Sequence, residues 1–141
     1  MQLKFINKKY FNNNFNLIYI LIFILLSRFI PHPPNFTPII SLAILCPLFF
    51  NNNIISLLLL ISGMFLTDLF LGIYQNIVIT YFAIILIYYF SKYYFKWKII
   101  NLKNIFLGSI FSALIFFILT NFAVWAFGNL YPRNFEGIIV C

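Results

Sequence analysis

Two carboxylates and one imidazole are the most obvious candidates for acid–base chemistry in this 141-residue sequence, which has Asp68 and Glu136 as its acidic residues and His32 as its one histidine. Asp68 lies inside a long apolar run, where a charged carboxylate costs several kcal/mol. Such a residue marks either a ligand site or pathway, or a structural ion pair, and both alternatives stay open here. Arg28, at the end of another apolar run, is the predicted partner.

The motifs of the common enzyme classes are missing. The sequence has no HExxH, no GxSxG and no P-loop, and Asp68 has no second intramembrane aspartate with which to form a catalytic dyad. His32 lacks the companions that a metal site requires, and Cys46 and Cys141 form no metal-binding or redox motif. We therefore predict a protein that is not an enzyme and that has no cofactor and no metal site.

The composition indicates that most of the chain lies in lipid. Hydrophobic residues make up 64% of the sequence and charged residues 8%, and the mean hydropathy is +1.02. A soluble domain carries roughly 25% charged residues, and so few charges cannot cover a water-exposed surface. The net charge of +7 does not indicate nucleic-acid binding, because the basic residues flank apolar runs instead of forming one face.

Apolar runs near the ~20 residues that span a bilayer predict about five transmembrane helices. Helices are expected because lipid leaves no partner for an unpaired backbone group, and no alternating pattern suggests a barrel. The predicted fold is therefore an all-α polytopic membrane helix bundle, a single domain over 1–141. It has a short basic tail at 1–14 and spans at about 15–30, 36–50, 54–73, 77–95 and 104–127.

The lysines predict the orientation of the bundle. One group precedes the first span and the other lies around the connector after the fourth span, so a cytoplasmic amino terminus places all of them on the cytoplasmic side. The expected location is the cell membrane, as a multi-pass protein whose immediate partner is the lipid bilayer. The lysines concerned are Lys4, Lys8, Lys9, Lys92, Lys96, Lys98 and Lys103.

This orientation gathers the unusual polar residues at the outer side of the membrane. They could line or support an outward-facing pocket for a small molecule. Alternatively, they serve helix packing alone, and a tryptophan near a span end is commonly an interfacial anchor. The predicted substrate-binding residues are Arg28, His32, Asn35, Asp68, Asn121, Trp125 and Arg133.

Three segments carry a family resemblance. They are Arg-Phe-Ile-Pro-His-Pro-Pro-Asn-Phe-Thr-Pro at 28–38, Thr-Asp-Leu-Phe-Leu-Gly at 67–72 and Thr-Asn-Phe-Ala-Val-Trp-Ala-Phe-Gly at 120–128, the last followed by Leu-Tyr-Pro at 130–132. In this order they resemble the motifs of an uncharacterised bacterial family of small multi-pass membrane proteins described as transport proteins of unknown function. Tyr74 replaces a histidine that the resemblance leads us to expect. Family members continue past Cys141 into a further apolar helix, so we expect a six-helix plan truncated at its carboxyl end.

The resemblance implies a bacterial inner-membrane protein whose layout is similar to the S components of energy-coupling-factor transporters. Those have six helices, cytoplasmic termini and an outer ligand pocket, and they work with a scaffold subunit and ATPases. We therefore predict a small-molecule transport protein or the substrate-binding membrane subunit of a transporter. The alternative is a structural or assembly subunit of a membrane complex that binds no ligand.

Overall fold

A computed structural model describes residues 19, 22–23, 26–30, 38–50, 52–97 and 101–141, and the regular elements within these residues are all helices. This confirms the predicted all-helical fold. We number the continuous helices in chain order. They are α1 (Pro38–Phe49), α2 (Asn53–Leu71), α3 (Ile77–Trp97), α4 (Leu102–Phe127) and the short α5 (Phe135–Val140).

Three of the helices, α2, α3 and α4, are long and apolar enough to cross a membrane, and α1 is a shorter apolar helix. The helices agree with the predicted spans at 36–50, 54–73, 77–95 and 104–127 to within a few residues. Half of the span predicted at 15–30 lies outside the described residues, and its described residues from 19 to 29 are helical. Helix α5 was not predicted, because six residues are too few to give a periodic pattern.

The short helix α1 is the centre of the bundle. It contacts α2, α3 and α4, and it packs most extensively on α3. Ala43 and Cys46 are almost completely buried, and so are Ile84 and Ile87 on α3. Because neighbouring helices cover α1, it needs less apolar length of its own than a lipid-exposed span.

Side-chain hydroxyls join the helices at the end of the bundle where α3 and α4 are connected. The buried hydroxyls of Ser56 and Tyr88 lie 2.5 Å apart, and Tyr88 also donates to the carbonyl of Asn53 at 2.9 Å. Ser91 donates to the carbonyl of Ile44 at 2.7 Å and ties α3 to α1. In an apolar environment each of these hydroxyls must find a partner within the protein.

Asparagine and glycine residues define the ends of α2. The side chain of Asn52 accepts from the backbone N–H groups of Ile54 and Ile55 at 3.0 and 3.2 Å, which caps the first turn. At the other end, Gly72 adopts φ +97° and ψ 149°, a region that is essentially limited to glycine. The chain therefore leaves α2 one turn after Asp68 and enters the connector at 72–76 that leads to α3.

Candidate functional site

The centre of the candidate site is an ion pair between the helical residues 26–29, which precede α1, and α2. The Nη2 atom of Arg28 donates to Oδ1 of Asp68, and the two side chains are 14% and 2% exposed. This confirms the predicted pairing. A buried carboxylate is tolerated in this position because a guanidinium at the same depth compensates its charge.

The second carboxylate oxygen of Asp68 also has a partner. The hydroxyl of Tyr81, one turn into α3, donates to Oδ2 of Asp68 at 2.7 Å. Asp68 therefore accepts from both neighbouring segments, which fixes its carboxylate in one orientation. Both carboxylate oxygens of Asp68 accept a hydrogen bond, and its side chain is almost completely buried. Asp68 therefore holds the guanidinium of Arg28 in place.

Arg28 lines a cavity of about 340 Å³, whereas Asp68 and Tyr81 line a second, almost wholly apolar cavity of about 360 Å³. The first of these contains more polar groups and is the candidate site. It opens at the end of the bundle that contains the 72–76 connector, which we call the Tyr74 end. Its polar lining combines one guanidinium with hydroxyl and amide groups, and its remaining walls are apolar. The lining residues are Arg28, Ile39, Met64, Leu71, Tyr74, Asn76, Thr80, Ile84, Phe116, Thr120 and Val124.

Two threonines of the lining use their protons within their own helices. Thr80 donates to the carbonyl of Asn76 at 3.2 Å, and Thr120 donates to the carbonyl of Phe116 at 2.8 Å. A hydroxyl has one proton and two acceptor lone pairs, so each threonine can still accept from a ligand. These i to i−4 bonds therefore leave the two threonine oxygens as acceptors at the cavity.

Tyr74 links Arg28 to the connector. Its hydroxyl is within hydrogen-bonding range of the side chains of Thr80 and Arg28. Partial burial raises the pKa of Tyr74 above its usual value of 10, and the nearby Arg28 opposes this shift without cancelling it. The phenol is therefore a neutral donor and acceptor at physiological pH.

The connector is also attached to α4. The side-chain amide of Gln75 donates to the carbonyl of Phe127 at 2.8 Å, where α4 ends. Because Tyr74, Asn76 and Val124 line the cavity, this bond crosses its rim. It provides α4 with a partner for a carbonyl that its own last turn cannot satisfy.

Only some of the predicted site residues meet at this cavity. Arg28 lines it and Asp68 pairs with Arg28, whereas His32 and Asn35 fall outside the described residues. Asn121 and Trp125 do not line this cavity, because the face of α4 that lines it contains Phe116, Thr120 and Val124, and their role in substrate binding stays a prediction. Arg133 is exposed in the segment after α4 and does not line the cavity either.

Trp125 and Asn121 instead hold the segment 128–141, which folds back on α4 and which we call the C-terminal hook. The indole Nε1 of Trp125 donates to the carbonyl of Pro132 at 3.1 Å, and Sγ of Cys141 donates to the carbonyl of Asn121 at 3.3 Å. Asn134 caps α5 by accepting from the backbone N–H of Gly137 at 2.8 Å. The hook therefore gives the Trp125 side chain of the third sequence motif a structural role, whereas Asn121 contributes its backbone carbonyl.

Tyr74, Thr80 and Tyr81 are site residues that the sequence analysis did not identify. All three lie within eight residues, at the start of the fourth predicted span. A concentration of hydroxyl groups near the end of an apolar run would have been the available signal, because such groups need partners in a membrane. Aromatic residues make up 22% of this chain, so a tyrosine near the end of an apolar run is not by itself a signal of a site.

The described residues contain no group of three or more histidine, cysteine, aspartate or glutamate side chains arranged to hold a metal ion. Comparison with known proteins gives one family match. The profile of a family described as "Family of unknown function (DUF6580)" matches residues 8–141. No curated protein and no solved structure matches the chain.

Proposed function

Since the chain belongs to this family of unknown function, DUF6580, whose description assigns no activity, we propose a function from the site itself. The protein is a small-molecule-binding membrane protein, and it serves as a transport protein or as the substrate-binding membrane subunit of a transporter. The cavity at the Tyr74 end is its binding site. In the orientation expected from the lysines, this end faces outward.

The observation that carries the proposal is the position of the Arg28–Asp68 pair. A pair that serves packing alone would be expected to lie between helices, with both partners enclosed. Here Asp68 is 2% exposed, while Arg28 is 14% exposed and forms part of the wall of a cavity of about 340 Å³ that also contains hydroxyl and amide groups. That volume is at the lower end of the range for ligand pockets, and an apolar wall with a few converging polar groups is their usual composition.

Transport against a concentration gradient needs a source of energy, and the sequence has no nucleotide-binding motif. Coupling must then come from an ion gradient or from partner subunits such as a scaffold and ATPases. The S components of energy-coupling-factor transporters provide the analogy, because they bind a ligand in an outer pocket and depend on such partners. The analogy rests on size, predicted topology and the position of the polar residues.

A ligand screen with a cavity-filling control tests this proposal. Protein purified in nanodiscs is heated with single vitamins, metabolites and metal ions, and a ligand of the folded state raises the melting temperature. We expect at least one compound to stabilise the native protein and to lose its effect in Val124→Phe, which places a ring in the cavity. Ile118→Phe is the matched control, because Ile118 lies on the same helix and is exposed outside the cavity lining.

The alternative is a structural or assembly subunit in which the polar residues only hold the helices together. The network of Arg28, Asp68 and Tyr81 would serve this role without any ligand. A screen in which no compound acts differently on the native protein and on Val124→Phe would favour this alternative. Co-purification of a stable membrane complex from native membranes would then identify its partners.

A further inference from the structure

We propose that the ligand of this cavity is an uncharged molecule with a hydrogen-bond acceptor directed at Arg28 and a hydrogen-bond donor directed at the threonines. This inference rests on the proposed function, because it defines the chemical class of the ligand of the same site. It follows from the charge balance of the lining, from the direction of its hydrogen bonds and from its apolar walls.

The positive charge of Arg28 is already compensated within the protein. Arg28 is the one formally charged side chain among the lining residues that the structure describes, and it is compensated by Asp68, which is buried and does not line this cavity. An anionic ligand at Arg28 would add a second negative charge close to Asp68, and one guanidinium compensates only one of them. A cationic ligand would face Arg28 directly. Both cases place an uncompensated charge in a poorly solvated site, which is strongly unfavourable.

The lining contains a group that only donates hydrogen bonds and groups that accept them. A guanidinium has donors only, and the Nη2 bond to Asp68 leaves other N–H groups of Arg28 for further partners. Thr120 donates its proton to the carbonyl of Phe116 and can accept from a ligand, whereas Thr80 bonds the carbonyl of Asn76 and also lies within hydrogen-bonding range of Tyr74. A ligand that satisfies both sides therefore needs an acceptor, such as a carbonyl oxygen or a ring nitrogen, and a separate N–H or O–H donor.

The body of the ligand must be apolar. Ile84, Phe116 and Val124 belong to the same lining as the two threonines, together with Met64 and Leu71. These walls favour an aromatic or alicyclic ring system, and the volume of about 340 Å³ limits its size to that of a small metabolite. An uncharged cyclic amide, or a heterocycle with neighbouring acceptor and N–H groups, combines all three properties.

Three compounds of almost equal shape separate charge from size. Naphthamide is neutral and carries both an acceptor and a donor, naphthoate is an anion, and naphthamidine is a cation with donors. Their affinities for the protein in nanodiscs are measured at neutral pH by ligand-observed nuclear magnetic resonance. Binding to Val124→Phe is subtracted to remove partition into lipid. We expect naphthamide to bind about tenfold more tightly than either charged compound.

Removal of one charge of the Arg28–Asp68 pair should then change which of the three compounds binds most tightly. Arg28→Gln leaves Asp68 as the charged group of the pair, so naphthamidine should become the best of the three ligands. Asp68→Asn leaves Arg28 without its counter-charge, so naphthoate should become the best. The double variant Arg28→Gln with Asp68→Asn is neutral again and should prefer naphthamide. If a single variant fails to fold, the native protein and the double variant still provide the comparison.

The donor requirement has its own test. Thr120→Val keeps the shape of the side chain and removes the accepting oxygen, so it should weaken naphthamide several-fold. The same substitution should leave dimethylated naphthamide, which has no N–H group, unchanged. Equal loss for both amides would refute the assigned direction of the hydrogen bond.

Two outcomes would overturn the proposal, and they separate it from the proposed function. If naphthoate or naphthamidine binds the native cavity at least as tightly as naphthamide, or if the preference ignores the charge exchange, the cavity binds ligands of a different class. If none of the three compounds binds in a manner sensitive to Val124→Phe, the cavity is not a site of this kind. The metabolite screen then decides separately whether it binds any ligand.

Discussion

The phenol of Tyr81 on α3 donates to the carboxylate of Asp68 on α2 at 2.7 Å. Each of these two helices packs more extensively on α1 than on the other. This bond is a direct polar connection between α2 and α3 close to the Tyr74 end. It also fixes the carboxylate that compensates Arg28. One side chain therefore supports both the helix arrangement and the charge balance of the site.

Removal of the Tyr81 hydroxyl should have a measurable cost. We expect Tyr81→Phe to lower the free energy of unfolding by about 1–3 kcal/mol, because the bond to a charged acceptor is lost and Oδ2 of Asp68 is left unsatisfied. Tyr93→Phe is the control, since Tyr93 lies on the same helix and is 58% exposed. Unfolding in mixed micelles with increasing denaturing detergent measures both variants, and equal stability of the two would show that the Tyr81 bond contributes nothing.

The Arg28–Asp68 pair should behave as a coupled unit. Asp68→Asn and Arg28→Gln each leave one partner without its counter-charge, and each should destabilise the protein by about 3–5 kcal/mol. The double variant should recover much of this loss, because no uncompensated charge remains. A double-mutant cycle in the same unfolding assay gives the interaction energy, and independent effects of the two substitutions would mean that the residues do not interact in the membrane.

Gly137 should tolerate no side chain. A Cβ atom at this position would lie 1.9 Å from the carbonyl oxygen of Pro132, so Gly137→Ala requires α5 and the residues around Pro132 to move apart within the hook. We expect the indole of Trp125 to lose its bond to that carbonyl and to become more accessible to a fluorescence quencher. Ile138→Ala, at the neighbouring and partly exposed position, should leave the quenching unchanged. Unaltered quenching in Gly137→Ala would show that the hook does not have this geometry.

The phenol of Tyr74 should titrate above its ordinary range. Burial raises its pKa in the folded protein, so the folded state holds this proton more tightly than the unfolded state does. Its contribution to stability is therefore fully present below pH 10 and is lost as the pH rises through the folded-state pKa. The ultraviolet absorbance of tyrosinate, measured as the difference between the native protein and Tyr74→Phe, reports this titration. A midpoint at or below 10 would contradict the environment described here.

The orientation can be tested by cysteine labelling in intact cells. Lys98 lies outside the described residues, but Lys92, Lys96 and Lys103 flank it at the end of the bundle opposite the Tyr74 end. In a Cys141→Ser background, a cysteine at Lys98 should resist a membrane-impermeant maleimide added from outside. A cysteine at Leu130, which is 80% exposed after α4, should react. The opposite labelling pattern would reverse the topology and place the cavity on the cytoplasmic side.

The sequence predicted the helical class and the main helix bounds because apolar runs and their interruptions are strong signals. Proline residues before α1 and polar residues at the connectors separate the spans. The Arg28–Asp68 pair was also predictable, since a lone intramembrane acid and an arginine at similar depth rarely stay apart in lipid. These inferences need only the depth of a residue in the membrane.

The lining of the cavity was not predictable in the same way, because it depends on the rotation of each helix about its own axis. Asn121 and Trp125 lie at the right depth but on a different face of α4 from Thr120 and Val124. Hydrophobic periodicity normally fixes this rotation, but most sides of a membrane helix are apolar. The amphipathic signal was therefore absent where it would have separated Thr120 from its neighbour Asn121.

The length of α1 has a consequence for how the protein is made. Its 12 residues extend over about 18 Å, well short of the ~30 Å hydrocarbon core, so α1 is a weak signal for the insertion machinery. Only three residues connect it to α2, whose 19 residues are sufficient to cross. The two helices are therefore expected to leave the translocon together as a hairpin, with α2 as the driving half. A polar residue placed in α2 would impair the membrane insertion of both helices, and with it the assembly of the core around α1.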